Sequence, residues 1–101
     1  MKKSLLYFST ADCAPCRVME RLLAEVLPEH AAQDLLEKID ISKFPGIGER
    51  LGITTVPALV LVNNGVIADV CVGAVSKEYL ITFLSPLLEE AANEDHANNN
   101  R

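Results

Sequence analysis

Cys13-Ala14-Pro15-Cys16 stands where an apolar run short enough for a buried strand, Leu5 to Phe8, passes through small and polar residues into apolar positions at helical spacing. The two cysteines therefore sit where a strand hands over to a helix. The first turn of a helix has backbone N–H groups without intrahelical partners, and the positive end of its dipole favours an anion. A cysteine held there is pushed towards thiolate, the nucleophilic form. One turn of helix also brings the second sulfur back beside the first, so the pair can close into a disulfide or open into a dithiol. Pro15 suits that turn, because the N–H it lacks would go unused and its ring holds the turn rigid.

The chain has 101 residues, enough for one domain with a single core. Its net charge of −5 comes without any basic cluster, which excludes a surface built to neutralise phosphates, so no nucleic-acid partner is expected. The longest apolar run, Ala58 to Val62, is far too short to span a bilayer, and no membrane partner is expected either. Met1-Lys2-Lys3 before Ser4-Leu5-Leu6 has the start of a signal peptide but too short an apolar part and no cleavage site. It reads as the first strand, and the expected compartment is the cytoplasm. There a C-x-x-C pair beside a βαβ pattern reads as a redox pair sooner than as a structural disulfide.

After Cys16, the residues Met19, Leu22, Leu23, Val26 and Leu27 share one helix face, with Arg17, Glu20, Arg21 and Glu25 opposite. Pro28 ends or bends that helix, and residues 29 to 34 read as a further turn or a loop. Leu35 to Ile41 reads as a strand carrying Glu37, Lys38 and Asp40, charges that protect a sheet edge. Lys43 to Leu51 predicts a short helix stopped by Gly52. Pro57 then precedes the strand Ala58 to Val62, a position compatible with simply starting a strand and also one where a cis bond is least costly. Asn64-Gly65 predicts a tight hairpin into Val66 to Gly73. Strict alternation would set Val66, Ala68, Val70 and Val72 on one face and Ile67, Asp69 and Cys71 on the other. Cys71 is expected to be partly exposed, with a buried small apolar residue as the competing reading. Ser76 predicts the cap of a last helix striped by Leu80, Phe83, Leu84, Leu87 and Leu88, kinked or ended by Pro86 near Ser85. Residues 1–88 are expected to form the domain and residues 89–101 an acidic, disordered tail.

The order β-α-β-α-β-β-α predicts an α/β fold with a four-stranded mixed sheet flanked by helices. With these motifs in view, the chain resembles the thioredoxin family in its minimal form. Cys13-Ala14-Pro15-Cys16-Arg17 is similar to the Cys-Gly-Pro-Cys-Lys/Arg site of that family, and Val56-Pro57 matches its cis-proline. Asp40, Phe44-Pro45-Gly46, Leu51-Gly52-Ile53, Asn64-Gly65, Val72-Gly73-Ala74 and Ser76-Lys77 follow the same pattern. The strand and helix that begin a full thioredoxin have no counterpart, which leaves the smaller core typical of glutaredoxins and uncovers the charged strand. Asp12 stands where the family has a tryptophan, and Tyr7 where it has a buried aspartate, although Lys38 keeps a matching lysine.

The resemblance implies a thiol–disulfide oxidoreductase that reduces protein disulfides, with Cys13 attacking and Cys16 resolving. It implies disulfide-containing protein substrates, a thioredoxin reductase or glutathione as electron donor, and a monomer. Pro15, Pro57, Asp12, Tyr7 and Lys38 are the expected supporting residues, and Thr55, Val56, Gly73 and Ala74 the expected substrate groove. A non-catalytic interaction module using the same groove is the alternative, disfavoured because a pure binder needs neither sulfur. No cofactor is called for. Nor is a metal, since one C-x-x-C with distant Cys71, His30 and His96 falls short of the usual ligand set. Asp12 should disfavour the Cys13 thiolate by on the order of 1 kcal/mol and shift the couple to more reducing values by roughly 20 to 30 mV. A phenol at position 7 cannot act as a carboxylate base, so release of substrate by Cys16 is expected to be slow near neutral pH.

Overall fold

Period-two apolar runs and two amphipathic helices meet in the computed structural model, which describes the backbone of residues 2–99 and the side chains of residues 2–89 and 91. The elements follow as β1 (Lys3–Ser9), α1 (Ala14–Glu29), a 3₁₀ turn (Gln33–Leu35), β2 (Leu36–Asp40), α2 (Pro45–Leu51), β3 (Ala58–Asn63), β4 (Val66–Val72) and α3 (Lys77–Asn99). They make a mixed α/β sheet in the order β2-β1-β3-β4, with β1 parallel to β2 and antiparallel to β3. The charged strand β2 is thus at an edge, as its Glu37 and Lys38 foretold.

Alternation along β1 assigns the two faces. Leu5 and Tyr7 point with Leu59, Leu61 and Cys71 into the larger core, where Met19, Leu23, Val26 and Leu27 of α1 and the stripe of α3 cover them. Leu6 and Phe8 point with Ala58 and Val60 to the opposite face, against Ile53 and the end of α2. Each fully buried Leu or Phe contributes about 1.5–3 kcal/mol, so these two apolar layers hold the sheet between the helices.

Cys71 departs from expectation: it is buried, at 5% exposure, opposite Leu59 under α3. The strict alternation expected of β4 also fails, because the β3–β4 register shifts between Leu61 and Val62. Asp69 is opposite Leu61 but Ile67 is opposite Val62, which leaves Ala68 as the extra residue of a bulge. Past the bulge, Ile67 changes sides to join Val70 and Val72. These three stay exposed together with Val66 on the outer strand.

The last helix also differs from its reading. Ser76 caps it as expected, its hydroxyl accepting from the Tyr79 N–H at 3.1 Å. Pro86 does not end it, and α3 continues to Asn99. A proline removes the hydrogen bond to the carbonyl four residues back, here that of Thr82. The Ser85 hydroxyl donates to that same oxygen at 2.9 Å and so satisfies it. Leu88 and Ala91 still lie in the core. Of the stretch read as a tail, residues 89–99 continue the helix in backbone, and residues 100–101 lie outside the described residues. Among the described residues no helix is long and apolar enough to cross a membrane.

Candidate active site

The chain leaves β1 at Ser9 and re-enters regular structure at Cys13, the N-cap of α1, with extended backbone at φ −143° and ψ 99°. Its carbonyl accepts the first helical hydrogen bond from Arg17 N–H at 3.2 Å, and its Sγ accepts from Cys16 N–H at 3.1 Å. The sulfur thereby occupies the place a serine or aspartate oxygen takes in an ordinary cap. Cys13 and Cys16 are joined as a disulfide, with Cα atoms 5.2 Å apart, and Pro15 lies in the turn between them. Cys13 is 8% exposed and Cys16 1%, so the first cysteine is the less deeply buried of the two. No acidic side chain occupies the first turn of the helix.

Sheet register brings the other expected residues to the same end of the molecule. Phe8 near the end of β1 is opposite Ala58, and Ala58 is opposite Val72, so Pro57 and Gly73 flank the end from which Cys13 emerges. The Val56–Pro57 bond is cis, and Gly73 N–H donates to the Pro57 carbonyl at 2.7 Å. Gly73 has φ +93°, a left-handed conformation that favours glycine and turns the chain away from β4. Thr55 and Ala74 are exposed, with Val56 and Gly73 half-buried between them. Asp12 is exposed directly before Cys13.

Tyr7 and Lys38 lie elsewhere, side by side beneath α1, since β1 and β2 pair them in register. Tyr7 is fully buried, and its hydroxyl reaches the Cys16 carbonyl oxygen at 2.8 Å and Glu20 Oε2 at 3.1 Å. Burial, followed by the Glu20 carboxylate beside it, pushes the phenol well above its usual range. Lys38 is exposed and lines a cavity of about 90 Å³ that it shares with Glu20, Leu23 and Leu36. Glu20 is the functional candidate that the sequence reading missed, having assigned it to the solvated face of α1. Its spacing four residues after Cys16 is the signal that could have found it.

A family model described as Thioredoxin matches residues 1–86. The chain belongs to the thioredoxin family. A thioredoxin of Buchnera aphidicola subsp. Baizongia pistaciae is 33% identical over 89 residues, which cover 87% of this chain and 82% of that one. A thioredoxin of Alicyclobacillus acidocaldarius is 31% identical over 88 residues, covering 87% and 84%. Among solved structures, thioredoxin O2 of Arabidopsis thaliana in its oxidised state superposes with a TM-score of 0.72 at 27% identity, over 85% of this chain and 75% of that one. Thioredoxin NaTrxh of Nicotiana alata, at 24% identity and a TM-score of 0.74 over 84% and 72%, shares the fold. A thioredoxin-family chain whose C-x-x-C pair closes at the start of α1 is a thiol–disulfide oxidoreductase. Proteins with disulfides are its substrates and a reductase is its partner, as the family implies.

Proposed function

We propose that this member of the thioredoxin family reduces protein disulfides, with Cys13 as the attacking sulfur and Cys16 as the resolving one. The observation that carries the assignment is the unequal burial of the pair, Cys13 at 8% exposure on the helix cap and Cys16 at 1% inside the first turn. The Cys13 thiolate attacks one sulfur of the substrate disulfide and expels the other as a thiolate, leaving a mixed disulfide. Cys16 then attacks the Cys13 sulfur and expels the second substrate thiolate. Two electrons have passed to the substrate, and the enzyme holds the Cys13–Cys16 disulfide seen here.

Thr55, Val56, Gly73 and Ala74 form the groove that receives the substrate backbone, with Pro57 at its base. Half-buried main chain with exposed neighbours is what an extended segment needs in order to pair. Pro15 keeps the turn between the cysteines rigid, and Asp12 opposes ionisation of Cys13. Electrons for the next cycle come from a thioredoxin reductase or from glutathione. We place the protein in the cytoplasm as a monomer, with residues 1–88 as its working domain and 89–101 as an acidic extension.

Serine substitutions test the roles. Cys13→Ser should abolish reduction of a protein disulfide, and Cys16→Ser should accumulate a covalent complex with the substrate, visible on non-reducing gels. Full dithiol-type turnover by Cys16→Ser would overturn the assignment. Parallel reduction of the oxidised protein by thioredoxin reductase and by glutathione identifies the donor.

A further inference from the structure

Beneath the first turn of α1, the single hydroxyl proton of Tyr7 has two oxygens within reach. The Tyr7 hydroxyl oxygen is 2.8 Å from the Cys16 carbonyl oxygen and 3.1 Å from Glu20 Oε2. A phenol has a single proton to give, and both neighbours are acceptors when Glu20 is ionised. If the hydroxyl donates to the carbonyl, two lone-pair-bearing oxygens face each other between Tyr7 and Glu20. If it donates to Glu20, its bond to the Cys16 carbonyl is lost. When Glu20 takes up a proton, both hydrogen bonds stand at once, the carboxyl donating to the phenol oxygen and the phenol to the Cys16 carbonyl. Tyr7 is fully buried, so bulk water does not fill the gap at its hydroxyl.

The position of this proton site matters because of what lies one turn away. Cys16 and Glu20 are four residues apart on α1, the spacing that sets two side chains next to each other on one helix face. Glu20 is half-buried and opens onto the cavity of about 90 Å³ between α1 and β2, which gives a proton on it a way to solvent. Tyr7 from β1 bonds to it, Lys38 from β2 and the uncharged Gln33 from the 3₁₀ turn line the same cavity, and Cys16 and Arg17 stand four and three residues before it on its own helix.

We propose that Glu20, held by Tyr7, is the proton acceptor for Cys16 when that cysteine resolves the mixed disulfide. The inference rests on the assignment of Cys16 as the resolving sulfur. The Cys16 thiol gives its proton to the Tyr7–Glu20 pair, and its sulfur forms the bond to Cys13 Sγ. The bond from Cys13 to the substrate sulfur breaks, and its electron pair leaves with the substrate thiolate. Glu20 then returns the proton to that thiolate or, through the cavity, to solvent.

Stopped-flow reaction of the reduced protein, in excess, with the symmetric disulfide of nitrothiobenzoate separates the two steps. One coloured thiolate is released when Cys13 attacks and a second when Cys16 resolves. Glu20→Gln keeps the packing and lets an amide N–H fill the gap to Tyr7, but it cannot accept the proton. The first release should be unchanged. The second should slow about tenfold or more near neutral pH, and the deficit should close as the pH rises and Cys16 ionises without help. Tyr7→Phe, which cuts the link, should show the same pH-dependent deficit. A second release in Glu20→Gln that is unchanged, faster, or slowed by one factor at every pH overturns the proposal. Absence of any second release in the unsubstituted protein would instead overturn the assignment of Cys16.

Discussion

Backbone position alone gives the three cysteines different chemistry. Cys13 meets the free N–H groups of a helix start, Cys16 is turned into the helix, and Cys71 is pressed under α3. Burial, and then the Asp69 carboxylate, push the Cys71 thiol up, which leaves little thiolate to react. In the Cys13→Ser/Cys16→Ser protein, alkylation of Cys71 should be about a hundredfold slower in the native state than in denaturant, because the thiol reacts only through opening of the core. Equal rates would place it at the surface. Asp12 is exposed beside Cys13, so Asp12→Asn should raise the thiolate fraction of Cys13 at neutral pH severalfold, read by thiolate absorbance. An unchanged or lower fraction would remove Asp12 from the electrostatics of the site. At this scale the cysteine pair and Pro57 were legible, since each sits in a local pattern of strand end, turn and helix start. Glu20 was not, because what draws it from solvent is the Tyr7 hydroxyl on another element, and Cys71 was not, because burial depends on what α3 covers.

Elements whose register depends only on nearby residues follow their sequence pattern closely. The hairpin at Asn64-Gly65 forms with Asn64 and Gly65 both at positive φ, 53° and 81°, as such a turn requires. The two departures have long-range or compensating causes: the bulge at Ala68 in β4, and the Ser85 hydroxyl that lets α3 pass Pro86. The two glycines of α2 make a test of the same point, since sequence alone treats both as helix weakeners. A Cβ at Gly46 would meet nothing within 4 Å, so Gly46→Ala should stabilise the protein by about 0.5 kcal/mol through its effect on the unfolded chain. A Cβ at Gly48 would lie 2.6 Å from Ile41 Cδ1 and 3.0 Å from the Ile53 carbonyl oxygen. Gly48→Ala should therefore destabilise by about 1–3 kcal/mol despite its better helix propensity. Urea denaturation of the two variants checks the opposite signs, and stabilisation by both would mean that α2 does not press on Ile41 and Ile53.

For the whole molecule, the buried groups under α1 and α3 set how stability responds to alkali. Tyr7 ionises in the unfolded chain near its ordinary value of 10.0, while burial and Glu20 hold it protonated in the folded protein at higher pH. Cys71 behaves alike from its ordinary value of 9.0. Above those values the unfolded chain binds fewer protons than the folded one, so stability falls as pH rises. The contribution of Tyr7 is complete below about pH 10 and is lost as the pH climbs towards the folded value, at up to about 1.4 kcal/mol for each pH unit. Oxidised protein is the form to measure, because Cys13 and Cys16 are then tied in the disulfide and do not titrate. Tyr7→Phe should be less stable than the unsubstituted protein at pH 8, having lost a buried hydroxyl with two partners, at a cost of about 1–3 kcal/mol. Its stability should nevertheless decline less steeply between roughly pH 10 and 11, so the two curves from urea unfolding approach each other. Cys71→Ala should flatten the part of the limb that begins one pH unit lower, and the double variant both parts. Parallel curves for Tyr7→Phe and the unsubstituted protein would mean that the phenol ionises alike in both states, and that the contact with Glu20 does not survive in solution.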